Sequence, residues 1–194
     1  MSNGGSSNSI FDRVLSFIDY TNQNIFLTGK AGTGKTTLLK RIKESSSKKM
    51  AVVAPTGVAA MNAKGTTINS FFQLPPGSFF PGDISLENLQ SGILSIQSMV
   101  SDLSYTRDKT NLFNELELLV IDEVSMVRCD LLDVIDAILR SVRKNTIPFG
   151  GVQLLLIGDL YQLPPVTKRE DWAFLSRAYP SPYFFDALVV RRNP

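Results

Sequence analysis

The sequence predicts an α/β fold, a mostly parallel central sheet covered by helices on both faces. Three observations carry that reading. The apolar runs Ile25–Thr28, Ala51–Ala54, Leu118–Ile121 and Val152–Ile157 are short, nearly continuous and bounded by turn chemistry, as strands buried on both faces are. Helical periodicity lies between them, clearest at Leu131, Val134, Ile135, Ile138, Leu139 and Val142, and this alternation defines a layered α/β domain. The first run also leads through a glycine-rich loop into Thr37-Leu38-Leu39-Lys40-Arg41-Ile42, which reads as the first turns of a helix.

In chain order, residues 1–9 are polar and Gly/Ser-rich and are expected to be disordered. Ser9 is positioned to cap an amphipathic helix through Tyr20, with Ile10, Phe11, Val14, Leu15 and Ile18 on one face. One domain is expected over 10–194. Within it, Leu74 to Asn114 is rich in Pro, Gly, Ser and Asn, with weak periodicity around Ile93–Leu103. This stretch reads as an insertion with a helix or two outside the main sheet, and Tyr105 to Asn111 as an exposed loop. No internal repeat is visible.

A chain of 194 residues can bury roughly 70% of its unfolded surface, so no disulfide is needed for folding. The single cysteine, Cys129, agrees with a reducing intracellular compartment. The polar start lacks the basic and apolar regions of a signal peptide, and no apolar stretch reaches the length of a membrane span. Net charge is +2, from 20 basic against 18 acidic residues. That balance neither demands nor excludes nucleic acid, so any basic groove must be local.

The loop Gly29-Lys30-Ala31-Gly32-Thr33-Gly34-Lys35-Thr36 matches the phosphate-binding pattern GxxxxGK[ST] at every specified position. Between a strand and a helix, it directs backbone N–H groups and a helix N-terminus at phosphate oxygens. Glycines 29, 32 and 34 are expected to permit positive φ and close approach of the backbone. Lys35 places a charge on the β and γ phosphates, and the Thr36 hydroxyl ligates Mg²⁺. Gly29, Ala31, Gly32, Thr33, Gly34, Lys35, Thr36 and Thr37 are thus the expected contacts to ATP, with Lys30 a solvated residue on the rim.

Leu118 to Ile121 delivers two adjacent carboxylates, Asp122 and Glu123, at the sheet edge where ligands of parallel sheets sit. One can hold Mg²⁺ through water and the next can orient or deprotonate an attacking water; Asp122 is assigned to the metal and Glu123 to the base. The strand ending at Gly158-Asp159 is followed by Leu160-Tyr161-Gln162-Leu163-Pro164-Pro165. The amide of Gln162 can bond a γ-phosphate or the attacking water, and the same run also reads as a Pro-rich turn with an incidental glutamine.

Five blocks occur in order: Phe26-Leu27-Thr28-Gly29 into the phosphate loop; Ala54-Pro55-Thr56-Gly57-Val58-Ala59-Ala60; Gly65-Thr66-Thr67-Ile68-Asn69-Ser70-Phe71-Phe72; Ile121-Asp122-Glu123-Val124-Ser125-Met126; and Gly158-Asp159-Leu160-Tyr161-Gln162-Leu163-Pro164-Pro165-Val166. Together they resemble motifs I, Ia with its extension, II and III of the PIF-type DNA helicases, in the RecD-related branch of superfamily 1. The resemblance implies the first RecA-like domain, a three-layer P-loop NTPase, of an ATP- and Mg²⁺-dependent motor. Such a motor moves 5′ to 3′ on single-stranded DNA and separates duplexes or G-quadruplexes. It implies phosphate and Mg²⁺ roles for Lys35 and Thr36, the metal and catalytic pair Asp122 and Glu123, and γ-phosphate sensing by Gln162. Pro55, Thr56, Gly57, Thr66, Asn69 and Phe72 are the implied DNA contacts, through amides and hydroxyls that meet phosphates without reading bases. Phe71 and Phe72 can offer a stacking face or belong to the core.

The resemblance departs at two places. The family often has histidine where this chain has Asn69, and the sequence contains no histidine. The upstream glutamine motif that reads adenine is not found, Gln23 being too close to the first strand. The resemblance runs out near Val190, and nothing matches second-domain motifs; Arg191 and Arg192 are poor candidates for trans-site arginines. The expectation is therefore a monomeric, DNA-associated intracellular chain that needs a second RecA-like domain, binds nucleotide, hydrolyses it slowly and holds DNA weakly. The insertion 74–114 is expected to carry a small strand-separating wedge, or to be an ordinary connection. A nucleotide-gated switch or assembly module is a rival reading, although GTPase marks (Asn-Lys-x-Asp, Asp-x-x-Gly) and the transporter signature Leu-Ser-Gly-Gly-Gln are missing. A small-molecule kinase or ligase would need an arginine-rich lid, which the sequence does not offer.

Overall fold

The structure, a computed structural model, describes residues 10–30, 32–82 and 92–193. Expectations for residues 1–9, for Ala31 and for the middle of the 74–114 stretch fall outside those residues.

A five-stranded sheet forms the centre, in the order β1 (Ile25–Thr28), β7 (Gln153–Gly158), β6 (Leu118–Ile121), β2 (Met50–Ala54), β3 (Thr66–Thr67). Every neighbouring pair in it is parallel. The near-continuous apolar strands divide by their two-residue period between two cores. Val53, Leu119, Ile121, Leu154 and Leu156 face one, and Val52, Leu118, Val120, Leu155 and Ile157 face the other. Helices α1 (Ile10–Tyr20) and α2 (Lys35–Ser45) cover the second face, burying Val14, Ile18, Leu39 and Ile42. The helix Cys129–Arg143 covers the first with Leu132, Val134, Ile135, Ile138 and Leu139.

Short helices follow the sheet edge where side-chain caps start them. Thr56 accepts from the Ala59 N–H at the start of α3 (Gly57–Asn62), and Thr67 from the Ser70 N–H at the start of α4 (Ile68–Phe72). These caps satisfy N–H groups that a helix end leaves without partners.

The 74–114 stretch differs from the sequence reading in two respects, a strand pair and a helix that were not expected. It holds β4 (Ser78–Phe80) and β5 (Ile93–Ser95), a separate parallel pair, and the helix Ile96–Asp102, all outside the main sheet. The segment expected as an exposed loop over Tyr105 to Asn111 is instead the start of a helix, Arg107–Glu115. Thr106 caps it by accepting from the Lys109 N–H at 3.3 Å. Its polar sequence hides one apolar anchor, Phe113, fully buried against Phe71, Phe72 and Tyr105. Leu74, Phe79, Ile96, Met99 and Phe113 all join the core beneath the sheet.

Three carboxylates of the helix Cys129–Arg143 turn inward, each with partners. Asp130 pairs with Arg128 at 2.6 Å and accepts from the Phe79 N–H. Asp133 accepts from the Tyr179 hydroxyl and the Leu188 and Val189 N–H groups. Asp136 accepts from the Phe149 N–H and from Arg140. Burial pushes the Asp133 and Asp136 carboxyls up, opposed by these donors.

Candidate nucleotide and strand-binding site

The phosphate loop leaves β1 at Thr28 and enters α2 at Lys35. Gly32 and Gly34 adopt φ +79° and +89°, the left-handed region that glycine allows. Gly29 departs from the expectation of positive φ. Glycine is needed there because a Cβ would lie 2.8 Å from the Thr33 hydroxyl, which bonds the Lys30 carbonyl. No side chain caps α2, so its first N–H groups have no side-chain acceptor, unlike those of α3 and α4. The Lys35 ammonium donates to the carbonyls of Gly29 (2.6 Å) and Lys30 (3.1 Å), which hold the charge over the loop. Thr36 and Thr37 are exposed and line a groove of about 560 Å³ with Lys40, Lys43 and Lys64.

Asp122 and Glu123 follow β6 beside this loop. The Asp122 N–H donates to Val53, and the Glu123 N–H donates to the Asp122 carboxylate at 3.0 Å. Burial raises the Asp122 pKa, opposed by that N–H and by Lys35. Burial also raises Glu123, aided by Asp122 and Asp159 and opposed by Lys35. Lys35 thus stands within electrostatic reach of both carboxyls, and Asp159 within reach of Glu123. Glu123 itself sits at φ 52°, ψ 45°, a left-handed conformation that costs a non-glycine residue about 1–3 kcal/mol. Packing holds it there: Val124 and Ser125 lie buried beyond it, against Gly158, where a Cβ would come within 3.0 Å of Val124.

Gln162 comes to the same edge. Asp159 is buried, accepts from the Tyr161 N–H at 3.0 Å and from the Gln162 amide at 3.4 Å, and so fixes the turn that carries Gln162. The sequence reading missed Asp159 as a site residue. Its signal was an acid directly after a buried strand, as at Asp122.

The expected DNA contacts divide. Pro55, Thr56 and Asn69 meet at a pocket of about 240 Å³ at the ends of β2 and β3, with Arg128, Met126 and Val166, which the sequence did not single out. Gly57 is exposed beside them, with open space where a Cβ would stand. Thr66 lies apart, lining a cleft of about 630 Å³ with Phe71, Asp108 and Leu112. Phe72 is a correction: it is fully buried, with its ring stacked on Phe113 at 5.4 Å, and has no face to offer a base. Phe71 is half-buried under the Lys109 ammonium, 3.9 Å from its ring centre.

A parallel sheet with a glycine phosphate loop after β1, paired carboxylates after β6 and a polar sensor turn after β7 is a RecA-like P-loop nucleotide-binding domain. A family model of the PIF1-like helicases matches residues 5–178, and the chain belongs to that family. The chain is 41% identical over 162 residues to the ATP-dependent DNA helicase PIF1 of Danio rerio, covering 81% of this chain and 23% of that protein. It is 36% identical over 165 residues to the ATP-dependent DNA helicase RRM3 of Saccharomyces cerevisiae, covering 82% and 21%. Among solved structures, Bacteroides Pif1 bound to single-stranded DNA superposes with a TM-score of 0.81 at 43% identity, over 94% of this chain and 38% of that one. The ADP-AlF4 complex of Bacteroides Pif1 gives 0.80 at 43%, over 94% and 39%. The chain thus spans about a fifth of the curated relatives.

Proposed function

We propose that this chain is the ATP-binding first motor domain of a DNA helicase that moves 5′ to 3′ on single-stranded DNA. Its task is to separate duplex or G-quadruplex DNA at the expense of ATP. The observation that carries this is adjacency. Lys35, Asp122, Glu123 and Asp159 sit over β1, β7 and β6, and the pocket of Pro55, Thr56 and Asn69 sits over the neighbouring β2 and β3. Directionality and substrate rest on family membership.

In this reading the uncapped N–H groups of α2 and the loop hold the phosphates, and Lys35 exchanges its carbonyl partners for phosphate oxygens. Glu123 accepts a proton from the attacking water, its basicity increased by burial and by its acidic neighbours. Gln162, steadied by Asp159, meets the γ-phosphate. The donor types suit Mg²⁺, a hydroxyl and a carboxylate oxygen beside the phosphate loop, since Mg²⁺ on a nucleotide takes most ligands from phosphate and water and only one or two from the protein. Thr36 and Asp122 would hold it, and it would neutralise charge on the β and γ oxygens. The partners in this reading are single-stranded DNA and a second RecA-like domain that supplies arginines in trans. The protein works as a monomer inside the cell, in cytoplasm or nucleoid, nucleus or mitochondrion. No described helix is long and apolar enough to cross a membrane. The insertion 74–114 carries the wedge in this reading.

Binding of a fluorescent ADP–Mg²⁺ analogue and ATP turnover, each with and without single-stranded oligonucleotide, test this against Lys35→Ala. Tight binding that Lys35→Ala removes is expected, with slow turnover. Robust turnover indifferent to DNA would replace the motor with a nucleotide-gated switch.

A further inference from the structure

The turn Val124–Met126, which follows Glu123, buries a hydroxyl that nothing holds. Ser125 is 1% exposed, and among the described residues its Oγ is the one buried side-chain nitrogen or oxygen without a hydrogen-bond partner. The buried acids, by contrast, are engaged: Asp130 by Arg128, Asp133 by Tyr179, Asp136 by Arg140 and Asp159 by the Tyr161 N–H. A buried hydroxyl without a partner destabilises the state that contains it, and an alanine in its place does not. Ser125 also lies between the two elements that act on the terminal phosphate in the reading above. On one side is Glu123, held at φ 52°. On the other is Gly158, where a Cβ would come within 3.2 Å of the Ser125 nitrogen, so the two backbones touch. Gly158 leads into Asp159, which the Gln162 amide reaches at 3.4 Å. That is a long bond, to a carboxylate that can accept further donors.

We propose that Ser125 is a positioning residue that links the sensor turn to the general base. When Gln162 turns its amide to a γ-phosphate it leaves Asp159, and the Ser125 hydroxyl donates to that carboxylate in its place. This role rests on the nucleotide-binding reading above. The exchange breaks no covalent bond and moves no proton between groups. A hydroxyl-to-carboxylate bond is short and strong beside the long amide contact it replaces. The form without a γ-phosphate therefore carries the unpartnered hydroxyl, and the form with one does not. In consequence the hydroxyl favours nucleoside triphosphate over diphosphate. It also draws the turn that bears Glu123 toward the turn that bears Gln162, so that base and sensor close on the same phosphate.

The test compares Ser125→Ala with the parent in urea denaturation without nucleotide and in equilibrium binding of ATPγS–Mg²⁺ and of ADP–Mg²⁺. The variant is expected to unfold at higher urea than the parent. Affinity for ADP–Mg²⁺ is expected to stay within about twofold and affinity for ATPγS–Mg²⁺ to fall about tenfold or more, the weight of a hydrogen bond to a charged group. Asp159→Ala tests the acceptor: in that background Ser125→Ala is expected to change ATPγS affinity by less than about twofold, because the interaction is already absent. A variant less stable than the parent without nucleotide would mean that the hydroxyl already has a partner, and would overturn the proposal. Equal weakening of ATPγS and ADP would overturn it as well, since a packing role does not distinguish a γ-phosphate. A full effect of Ser125→Ala that persists beside Asp159→Ala would overturn the exchange. Binding of neither nucleotide by the parent, or binding that survives Lys35→Ala, would remove the nucleotide site itself.

Discussion

Glu123 shows how one residue carries both the chemistry and a cost. Its left-handed backbone and its acidic neighbours oppose folding, and active sites are where such strain persists. Because its folded pKa is raised, the protonated form is favoured in the native state. Its stabilising contribution is full below the unfolded pKa and is lost as pH rises through the folded one. Glu123→Gln is therefore expected to melt at a higher temperature than the parent near pH 7, with the difference closing toward pH 4, in thermal denaturation. In the same variant, ATP turnover is expected to fall about 10²–10⁴-fold, the usual worth of a general base, with nucleotide affinity kept. Turnover by the parent should also fall on acidification with a midpoint above the ordinary glutamate range. A midpoint below it would mean that Lys35 outweighs burial. That Lys35, Asp122 and Glu123 meet at one sheet edge was legible in the sequence, because each stands directly after a strand or its loop. Asp159 stands after a strand in the same way, but that it holds the Gln162 amide depends on a turn closing back, which the sequence does not show.

At the scale of elements, the helix Arg107–Glu115 and the helix Cys129–Arg143 carry most of what sequence patterning misread or passed over. The first has one buried anchor in nine residues, too few to make a periodic stripe, so local polarity suggested a loop. Phe113 ties it to Phe71, Phe72 and Tyr105. Phe113→Ala is expected to cost about 3–5 kcal/mol in urea denaturation, the range for emptying a buried aromatic site. The second helix showed its apolar stripe plainly, but not that three of its aspartates face inward. Asp130 is fully buried and paired with Arg128, and it anchors β4 through the Phe79 N–H. Arg128→Ala strands that charge and is expected to cost about 3–5 kcal/mol. Substituting Arg128 and Asp130 together should cost less than Arg128→Ala alone, since no unpaired charge remains.

For the whole molecule, the candidate nucleotide site and the pocket of Pro55, Thr56 and Asn69 occupy neighbouring strand ends on one sheet edge. Charge transferred in hydrolysis is best stabilised by arginines in trans, worth about 10³–10⁵ in rate. ATP turnover by these 194 residues is accordingly expected to rise by that factor when a second RecA-like domain of the family is supplied on the same chain. No rise would mean that the cleft is complete without it. DNA affinity is expected to fall steeply between about 50 and about 200 mM salt, as binding through phosphates requires; an affinity flat over that range would mean that phosphates do not carry it.

By itself the sequence determined four of the five strands, since strands buried on both faces must be continuous and apolar, but not the polar edge strand Thr66–Thr67, and it determined where the phosphate loop and the paired carboxylates stand, since both sit in contiguous motifs. The tertiary structure alone decided which of the proposed DNA residues share a site. Phe72 and Asn69 are three positions apart on one short helix, yet one faces the core and the other the pocket. The pocket itself gathers residues from Pro55 to Val166, and only the packing of the β4 segment against the helix that begins at Cys129 closes it. Local patterns report how each stretch buries itself; long-range contacts report what it is buried against, and a binding pocket consists of the second kind of information.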